Sequence, residues 1–459
     1  MKYFEAFGEG GFHSAFMTTY AFGALAFEDI PFSKLRGAGC RNITVLADRG
    51  MVNQAFSEFG PPRFAGTSYH LVKADAPGVF HPKITMLIGE AKGRLIVGSA
   101  NLTALGLGGN KEQIASIYYS SDAPENAKYF ASALAYLRRY VPQDDQWFPV
   151  CLRRAMRSAP WLRDDELDLT FDARGETDVN FLFDRPEITV LDQIVACLCD
   201  DIVERLVILS PYWDAQLRGL ALLRSAMDNP VTDILIDGTL GGFPASKLSS
   251  ALDVSLFDVS SQTEGRFLHA KLIIAQGKLW DHVISGSMNC TFPALMGPTL
   301  LGNAEAGIYK RAARGTAIEA LGLSSYQDAR VEGDEFSRLQ QSFEDVTTSE
   351  AASEPAIDGG SLILKSGSLS WIVPAKLPTA PAIICLYDRD GRSICEIDAE
   401  NGFVAYDVSP DALRPKYGIV KFANGAMSAP VQVVDLDCLA VTTLPPTAGL
   451  QAAFDGYAP

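Results

Sequence analysis

The stretch HPKITMLIGEAKGRLIVGSANLTALGLGGNKE, residues 81–112, decides the fold because the chain contains a second version of it. That version, residues 269–305, is HAKLIIAQGKLWDHVISGSMNCTFPALMGPTLLGNAE. Both begin with His-x-Lys, reach Gly-Ser-x-Asn 17 positions after the histidine, and close with Gly-Asn-x-Glu. An internal repeat of this kind predicts two structural units with the same architecture.

Each copy is expected to gather three polar side chains. The apolar, β-branched context of residues 81–84 predicts a strand in which His81 and Lys83 point to one face. Residues 95–97 predict the next strand, and the turn at its end would bring Asn101 beside the histidine and the lysine. The second copy repeats the scheme with three residues: His269, Lys271 and Asn289.

Two such halves facing each other would place two imidazoles, two ammonium groups and two carboxamides around one cavity. This set suits a phosphodiester, because cations and amides hold the phosphoryl oxygens. One histidine can then attack phosphorus while the other protonates the oxygen that leaves. We therefore expect neither a metal ion nor a cofactor in the site.

The doubled motif resembles that of the phospholipase D superfamily, over roughly residues 1–345. The matching residues are His81, Lys83, Gly98, Ser99 and Asn101 in the first copy and His269, Lys271, Gly286, Ser287 and Asn289 in the second. The fuller family motif has an aspartate five residues after the lysine, where this chain has Ile88 and Gln276. This departure makes the chain look more like the tyrosyl-DNA phosphodiesterases and some nucleases than like the lipid enzymes.

The resemblance implies a role for each residue. His81 would be the nucleophile that forms a phosphohistidine, and His269 would protonate the leaving group and then activate water; the near-symmetry of the motifs leaves the reverse order open. The phosphoryl oxygens would be bound by Lys83, Lys271, Asn101 and Asn289, with further hydrogen bonds from Ser99 and Ser287. Glu112 and Glu305 would orient the imidazoles; the alternative is that they are plain helix or loop carboxylates.

The composition is that of a globular protein, with 459 residues of which 47% are hydrophobic. No run of about 18 apolar residues predicts a membrane span, and the first residues do not resemble a secretory signal. The eight cysteines are scattered, which favours a reducing compartment and predicts a cytoplasmic protein that does not associate with membranes.

The formal net charge of −16 disfavours unaided binding to DNA. The site lysines would have to create a local positive cleft, and a partner protein is expected to deliver the substrate. A group of arginines forms either a solvated helix face or a track for DNA. Its members are Arg138, Arg139, Arg153, Arg154 and Arg157.

The expected fold is α/β, with two phospholipase D-like α/β sandwich lobes related by a pseudo-twofold axis and a C-terminal all-β domain. The predicted boundaries are 1–145 for lobe 1, 146–178 for a connector, 179–345 for lobe 2, 346–360 for a linker and 361–459 for a β-sandwich or barrel. His13, His70 and His282 are interpreted as packing or structural residues. Tyr212 and Trp213, at a predicted strand end, lie either at the cleft rim, where they could stack on a base, or in the core.

The leading functional hypothesis is a metal-independent nuclease that cleaves DNA rather than RNA. By analogy it would act in prokaryotic anti-phage defence with an ATPase or helicase partner. Two alternatives are a lipid phosphodiesterase or phosphatidyltransferase, and a non-catalytic scaffold. The sequence leaves the oligomeric state open, a homo-oligomer included.

Overall fold

The computed structural model describes most of the chain. The described ranges are 3–163, 178–185, 187–239, 242–248, 253–297, 302–351, 355–374, 381–399, 406–407 and 414–444. The strands in these ranges form three sheets, one in each predicted lobe and one in the C-terminal region. The predicted α/β class is confirmed.

The first lobe contains a six-stranded sheet in the order β3-β2-β1-β4-β5-β6. Its strands are β1 (Ser14–Thr19), β2 (Asn42–Asp48), β3 (His70–Ala74), β4 (Ile84–Ile88), β5 (Gly93–Gly98) and β6 (Ile114–Tyr119). Its helices are α1 (Ala24–Phe27), α2 (Ser33–Gly37), α3 (Arg49–Phe59), α4 (Ala127–Arg138) and α5 (Phe148–Arg157). The first three strands are parallel, and the last three are antiparallel to their neighbours.

The second lobe repeats this order with one additional strand, as β10-β9-β8-β11-β12-β13-β7. Its strands are β7 (Val179–Phe183), β8 (Val203–Leu209), β9 (Val231–Ile236), β10 (Val254–Asp258), β11 (Leu272–Gly277), β12 (Trp280–Gly286) and β13 (Ala306–Ala313). Its helices are α6 (Val190–Cys197), α7 (Arg218–Ser225), α8 (Phe292–Met296), α9 (Ala317–Ala320) and α10 (Glu335–Ala351).

The two lobes meet along equivalent edges. Strands β5 and β6 contact β12 and β13 across the lobe boundary. Two short parallel bridges also link the lobes, Phe80 with Ala304 and Lys111 with Leu268. Each bridge joins the residue before one motif histidine to the residue before the other lobe's motif glutamate. The repeat therefore forms a pseudo-twofold arrangement with the two motifs at its centre.

The C-terminal region adds a seven-stranded sheet in the order β17-β16-β19-β20-β14-β15-β18. Its strands are β14 (Ser361–Lys365), β15 (Ser368–Ile372), β16 (Pro381–Tyr387), β17 (Ser393–Asp398), β18 (Tyr406–Asp407), β19 (Tyr417–Phe422) and β20 (Val431–Asp435). Helix α11 (Leu436–Thr442) follows β20, so the region is not built from strands alone as expected. Asp435 starts this helix by accepting the backbone N–H of Cys438 at 2.9 Å.

The C-terminal sheet packs on lobe 1 through polar as well as apolar contacts. Asp358 accepts hydrogen bonds from Lys73 at 3.3 Å and Arg49 at 3.0 Å. Lys416 donates to the carbonyl of Ala65 at 2.6 Å. Gly66 has φ +74°, and a Cβ there would lie 2.3 Å from the Val433 carbonyl oxygen. This close backbone approach requires glycine.

Four local expectations need correction or lie outside the described residues. The connector contains α5, which begins where Asp145 accepts the N–H groups of Trp147 and Phe148. The expected linker 346–360 begins as helix, because α10 continues to Ala351. The sequence also predicts a strand at 403–408 and a solvated charge cluster at 163–168, and most residues of both stretches lie outside the described ranges.

Candidate active site

The two motif histidines occupy equivalent positions, each three residues before the strand that lies fourth in the order of its sheet. The backbone N–H of His81 donates to the Ala304 carbonyl at 3.0 Å, and that of His269 donates to the Lys111 carbonyl at 3.0 Å. Each histidine is therefore held by main chain of the other lobe. The predicted inclusion of the His-x-Lys segment in a strand was wrong, since β4 begins at Ile84 and β11 at Leu272.

Pro82, just before the first of these strands, has no N–H for the ladder. The side chain of Thr18 substitutes for the missing pairing. Its hydroxyl donates to the Pro82 carbonyl at 2.8 Å and accepts the Ile84 N–H at 2.8 Å.

The two motif glutamates orient the histidines, and they do so across the lobe boundary. Glu305 accepts from Nδ1 of His81 at 3.0 and 3.1 Å, and Glu112 accepts from Nδ1 of His269 at 2.9 and 3.0 Å. A carboxylate on Nδ1 fixes the tautomer in which Nδ1 carries the proton. The Nε2 atom of each ring is then the one available for chemistry. Each motif histidine is thus bound by the glutamate of the other lobe's motif.

Each glutamate is itself held by its own copy of the motif. Ser99 donates to Glu112, and Ser287 donates to Glu305. The predicted serines therefore contact the glutamates. The asparagine of each Gly-Asn-x-Glu segment also donates, Asn110 to Glu112 and Asn303 to Glu305, both at 3.2 Å. No role was predicted for these two asparagines, although their repetition in both copies of the motif indicated one.

The two lysines lie buried beside the histidines. Lys83 Nζ donates to the His81 carbonyl at 2.7 Å, and Lys271 Nζ donates to the His269 carbonyl at 2.9 Å. Lys271 Nζ also lies 3.1 Å from Nε2 of His269. Burial lowers the pKa of Lys271 to about 8, while Glu112 and Glu305 oppose that decrease. Burial and the charge of Lys271 lower the pKa of Lys83 well below its ordinary value.

Burial also keeps the histidines neutral. It lowers the pKa of His81 to about 4, with Glu305 opposing and Lys83 adding to the decrease. It lowers the pKa of His269 to about 4 as well, with Lys271 adding and Glu112 opposing. A neutral imidazole whose Nδ1 is protonated carries a lone pair on Nε2. At neutral pH both rings can therefore act as nucleophile or base.

The two motif asparagines differ in their surroundings. Asn101 Oδ1 accepts from the hydroxyl of Thr19 and the N–H of Ala21, both at 3.3 Å. Asn289 is buried, and its Oδ1 finds no hydrogen-bond partner among the described residues. An unsatisfied amide oxygen at a buried position is costly, so functional sites are where such atoms tend to persist.

An aromatic ring accompanies each histidine. Tyr20 follows β1, and its ring centroid lies 5.1 Å from that of His81. Tyr212 follows the equivalent strand β8, 6.1 Å from the ring of His269. Trp213 instead packs against Phe243 in the lobe 2 core. Of the two predicted rim aromatics, Tyr212 lies at the site and Trp213 does not.

Two aspartates support the histidine segments and were missed in the sequence. Asp48, at the end of β2, accepts the N–H of Phe80 at 2.9 Å. Asp237, after the equivalent strand β9, accepts the N–H of Leu268 at 2.8 Å. Each therefore fixes the residue that precedes a motif histidine. An aspartate at the end of β2 and another directly after the equivalent strand β9 could have indicated this role.

The other three histidines have structural partners. His13 hydrogen-bonds Ser14 at the opposite end of β1 from Tyr20, His70 pairs with Asp145, and His282 lies between Tyr309 and Asp201. The described residues contain no group of three or more His, Cys, Asp or Glu placed to hold a metal ion. Among them, no helix is long and apolar enough to cross a bilayer.

Comparison with known proteins gave matches only among solved structures. No family model and no curated protein matches the chain. Yeast tyrosyl-DNA phosphodiesterase is 12% identical with a TM-score of 0.45, over 68% of this chain and 86% of that one. Phosphatidylserine synthase from Haemophilus influenzae Rd KW20 is 11% identical with a TM-score of 0.45, over 76% and 90%. Nuc from Salmonella typhimurium, a phospholipase D family member, is 15% identical with a TM-score of 0.24, over 34% and 97%.

These identities and TM-scores are too low to support an argument about activity. The assignment depends instead on the chain's own features: two His-x-Lys and Gly-Ser-x-Asn motifs, two lobes with one strand order, and one site where the motifs meet. Together these features agree with the fold that the resemblance to the phospholipase D superfamily predicts.

Proposed function

We propose that this protein is a metal-independent phosphodiesterase that cleaves nucleic acid, with DNA as the preferred substrate. One observation carries the proposal. The Nδ1 atom of each motif histidine is bound by the glutamate of the opposite lobe, which leaves two Nε2 atoms to serve one phosphodiester. Because each imidazole is held by its own glutamate, one can act as the nucleophile and the other as the acid.

In the first step, Nε2 of His81 attacks phosphorus and forms a P–N bond. The P–O bond to the leaving group breaks, and the leaving oxygen takes a proton from Nε2 of His269. The phosphate anion raises the pKa of His269 when it binds nearby, so the ring takes up this proton from solvent before the step. Lys83 and Lys271 stabilise the charge on the phosphoryl oxygens, and the Asn101 and Asn289 amides donate to them.

In the second step, water attacks the phosphohistidine. Nε2 of His269, now neutral, takes a proton from the water as its oxygen bonds to phosphorus, and the P–N bond to His81 breaks. The enzyme returns to its starting state with one phosphodiester hydrolysed. The depressed pKa of His269 keeps its ring neutral at the moment when a base is required.

Nucleic acid is the proposed substrate because each catalytic histidine lies beside a tyrosine. The half-exposed ring of Tyr212 and the ring of Tyr20 offer stacking surfaces on the two sides of the phosphate. With a formal net charge of −16, affinity is expected to come from the buried lysines rather than from the outer surface. No residue of the site bears on the hypotheses of anti-phage defence or of an ATPase partner.

The first test is cleavage of single- and double-stranded DNA and RNA in EDTA. We expect the wild type to cleave and His81→Ala to be inactive. His13→Ala is the matched control, because this histidine lies at the far end of β1 from the site. Cleavage by His81→Ala at the wild-type rate would contradict the proposal.

A second substrate separates the roles of the histidines. In bis(p-nitrophenyl) phosphate the leaving group needs no proton, so His269→Ala should still allow the first step. We expect a burst of p-nitrophenol and a phosphorylated His81 peptide that survives alkaline quenching. A phosphorylated His269 peptide in the His81→Ala variant would reverse the assignment.

A further inference from the structure

A buried carboxylate that the proposed mechanism does not use lies behind the glutamate that binds the first motif histidine. Asp184 directly follows β7 and is fully buried. Its Oδ1 accepts the backbone N–H of Glu305 at 2.9 Å, and its Oδ2 accepts from the hydroxyl of Tyr140. The hydroxyl oxygen of Tyr136 lies 2.9 Å from Asp184 Oδ1 and 3.1 Å from the Glu305 carbonyl oxygen. These three side chains, Asp184, Tyr136 and Tyr140, form the Asp184 cluster, which holds both main-chain polar groups of Glu305.

The carboxylate of this cluster is costly to bury. Burial of a carboxylate disfavours its charged form, and it raises the pKa of Asp184. The hydroxyl of Tyr140 and the charge of Arg139 oppose that increase, and the Arg139 guanidinium pairs with Asp184 Oδ2 at 3.3 Å. Arg139 is therefore bound to Asp184 rather than available as part of a track for DNA.

The same cluster also contacts the segment that carries His81. The ring of Tyr140 packs on that of Phe80, with 5.1 Å between the ring centroids, and Phe80 is fully buried. Phe80 directly precedes His81, whose Nδ1 donates to Glu305 at 3.0 Å. The cluster therefore supports both members of this hydrogen-bonded pair, the histidine through its neighbour and the glutamate through its main chain.

The cluster does not belong to the sequence repeat. Asp184 follows β7, the additional strand of lobe 2, which pairs with β13. Tyr136 comes from α4 of lobe 1, and the sheet of that lobe ends at β6 among the residues that the structure describes. The addition contacts the pair formed by His81 and Glu305. In the proposed mechanism, the task of this pair is the attack on phosphorus.

We propose that Asp184, Tyr136 and Tyr140 are positioning residues for that attack. The inference rests on the proposed phosphodiesterase function and goes beyond it by identifying what sets the geometry of the nucleophile. The cluster fixes the main chain of Glu305, and Glu305 fixes the imidazole of His81 through Nδ1. Because Nε2 must approach phosphorus in line with the leaving oxygen, a small displacement of the ring slows attack without weakening the binding of substrate.

The first test isolates the step that His81 performs. It measures single-turnover release of p-nitrophenol from bis(p-nitrophenyl) phosphate in EDTA, in the His269→Ala background. Tyr136→Phe, Tyr140→Phe and Asp184→Asn should each slow this release about 10- to 100-fold, as the loss of residues that orient a reacting group does. The substrate concentration that gives half the maximal rate should stay the same.

A matched control separates positioning from a general loss of stability. Tyr129 lies in the same helix, α4, and its hydroxyl donates at 2.6 Å to the carbonyl of Val179, at the other end of β7. Tyr129→Phe therefore removes one buried hydroxyl between the same two elements without touching Asp184. It should leave the rate unchanged. Urea unfolding of every variant shows how much stability each substitution costs.

A second readout reports on the ring of His81 without turnover. In protein labelled with ¹⁵N-histidine, the Nδ1–H held by Glu305 should give a downfield proton resonance that His81→Ala lacks. The two Tyr→Phe substitutions in the cluster should shift or broaden this resonance. Tyr129→Phe should not.

The outcomes distinguish this inference from the proposed function. Rates that are equal in Tyr129→Phe and the cluster variants, or that follow the urea midpoint across all of them, would overturn the inference and leave the phosphodiesterase standing. A change in the half-saturating concentration alone would also overturn it. No cleavage by the wild type, with a resonance that changes only in the cluster variants, would reject the phosphodiesterase and keep the positioning of His81. If Asp184→Asn does not fold, the two Tyr→Phe variants decide the matter.

Discussion

Replacing Glu305 by glutamine should abolish catalysis while leaving the fold intact. The side chain is fully buried and accepts hydrogen bonds from His81, Ser287 and Asn303. Glutamine has the same shape, but its NH₂ group can donate to Nδ1 of His81. The imidazole would then carry its proton on Nε2, and the atom that attacks phosphorus would have no lone pair. The corresponding Asp→Asn change in a Ser-His-Asp triad lowers kcat about 10⁴-fold, and we expect a loss of at least about 10³-fold here.

The stability cost of this substitution should be modest. Glutamine has one acceptor oxygen, so it can accept from Ser287 or from Asn303 but not from both, and it loses the charge that compensates Lys83. The free energy of unfolding should therefore fall by about 1–3 kcal/mol. The assay is kcat/KM on bis(p-nitrophenyl) phosphate together with urea unfolding. Ser287→Ala is the control, because it removes a support of Glu305 and should cost only about 10- to 100-fold. A folded Glu305→Gln protein within tenfold of wild-type activity would refute this account of the site.

Three further predictions concern the frame of the site. Gly106→Ala should reduce activity strongly, because its Cβ would lie 2.2 Å from the Asn101 carbonyl oxygen; Gly108→Ala, in the same turn with nothing within 4 Å, should not. Gly66→Ala should lower the free energy of unfolding by a few kcal/mol, because the residue has a positive φ and its Cβ would contact Val433. Urea unfolding measures this change, and an unchanged midpoint would contradict the packing described. The two site histidines have folded-state pKa values of about 4 against an ordinary 6.5, so the unfolded state binds more protons between these values. Stability should therefore fall as pH drops from about 6.5 to about 4, by on the order of 3 kcal/mol per histidine, and urea titrations at several pH values measure this slope.

The sequence was sufficient for the features that repeat along the chain. The matched spacing of the two motifs predicted two lobes and the six polar residues of the site, because a shared pattern reflects a shared local fold. It could not show that Glu305 would bind His81 rather than His269. That contact spans 224 residues, and its direction depends on how the lobes meet rather than on spacing within a motif.

Other features could not be predicted from the sequence, because the local patterns there have more than one explanation. Asp48 caps α3, which already accounts for an aspartate after a strand, so its contact with Phe80 had no separate signal. Leu105 and Leu295 both follow a motif asparagine, yet one is exposed and the other buried. Exposure is decided by tertiary packing, and this difference between the two leucines could therefore not be anticipated from the sequence.

The reciprocal exchange of glutamates has a consequence for the ancestry of this architecture. A protein with a single copy of the motif would have to associate as a symmetric pair, with the same patch on both molecules. Every loop would then appear identically on both sides of its catalytic centre. When two copies are joined in one chain, their loops no longer have to be identical. Each copy still needs the other, because its histidine is bound by the other copy's glutamate. Such a fusion permits the core to stay symmetric while the surroundings of the two halves diverge: Leu105, after one motif asparagine, is exposed, whereas Leu295, after the other, is buried.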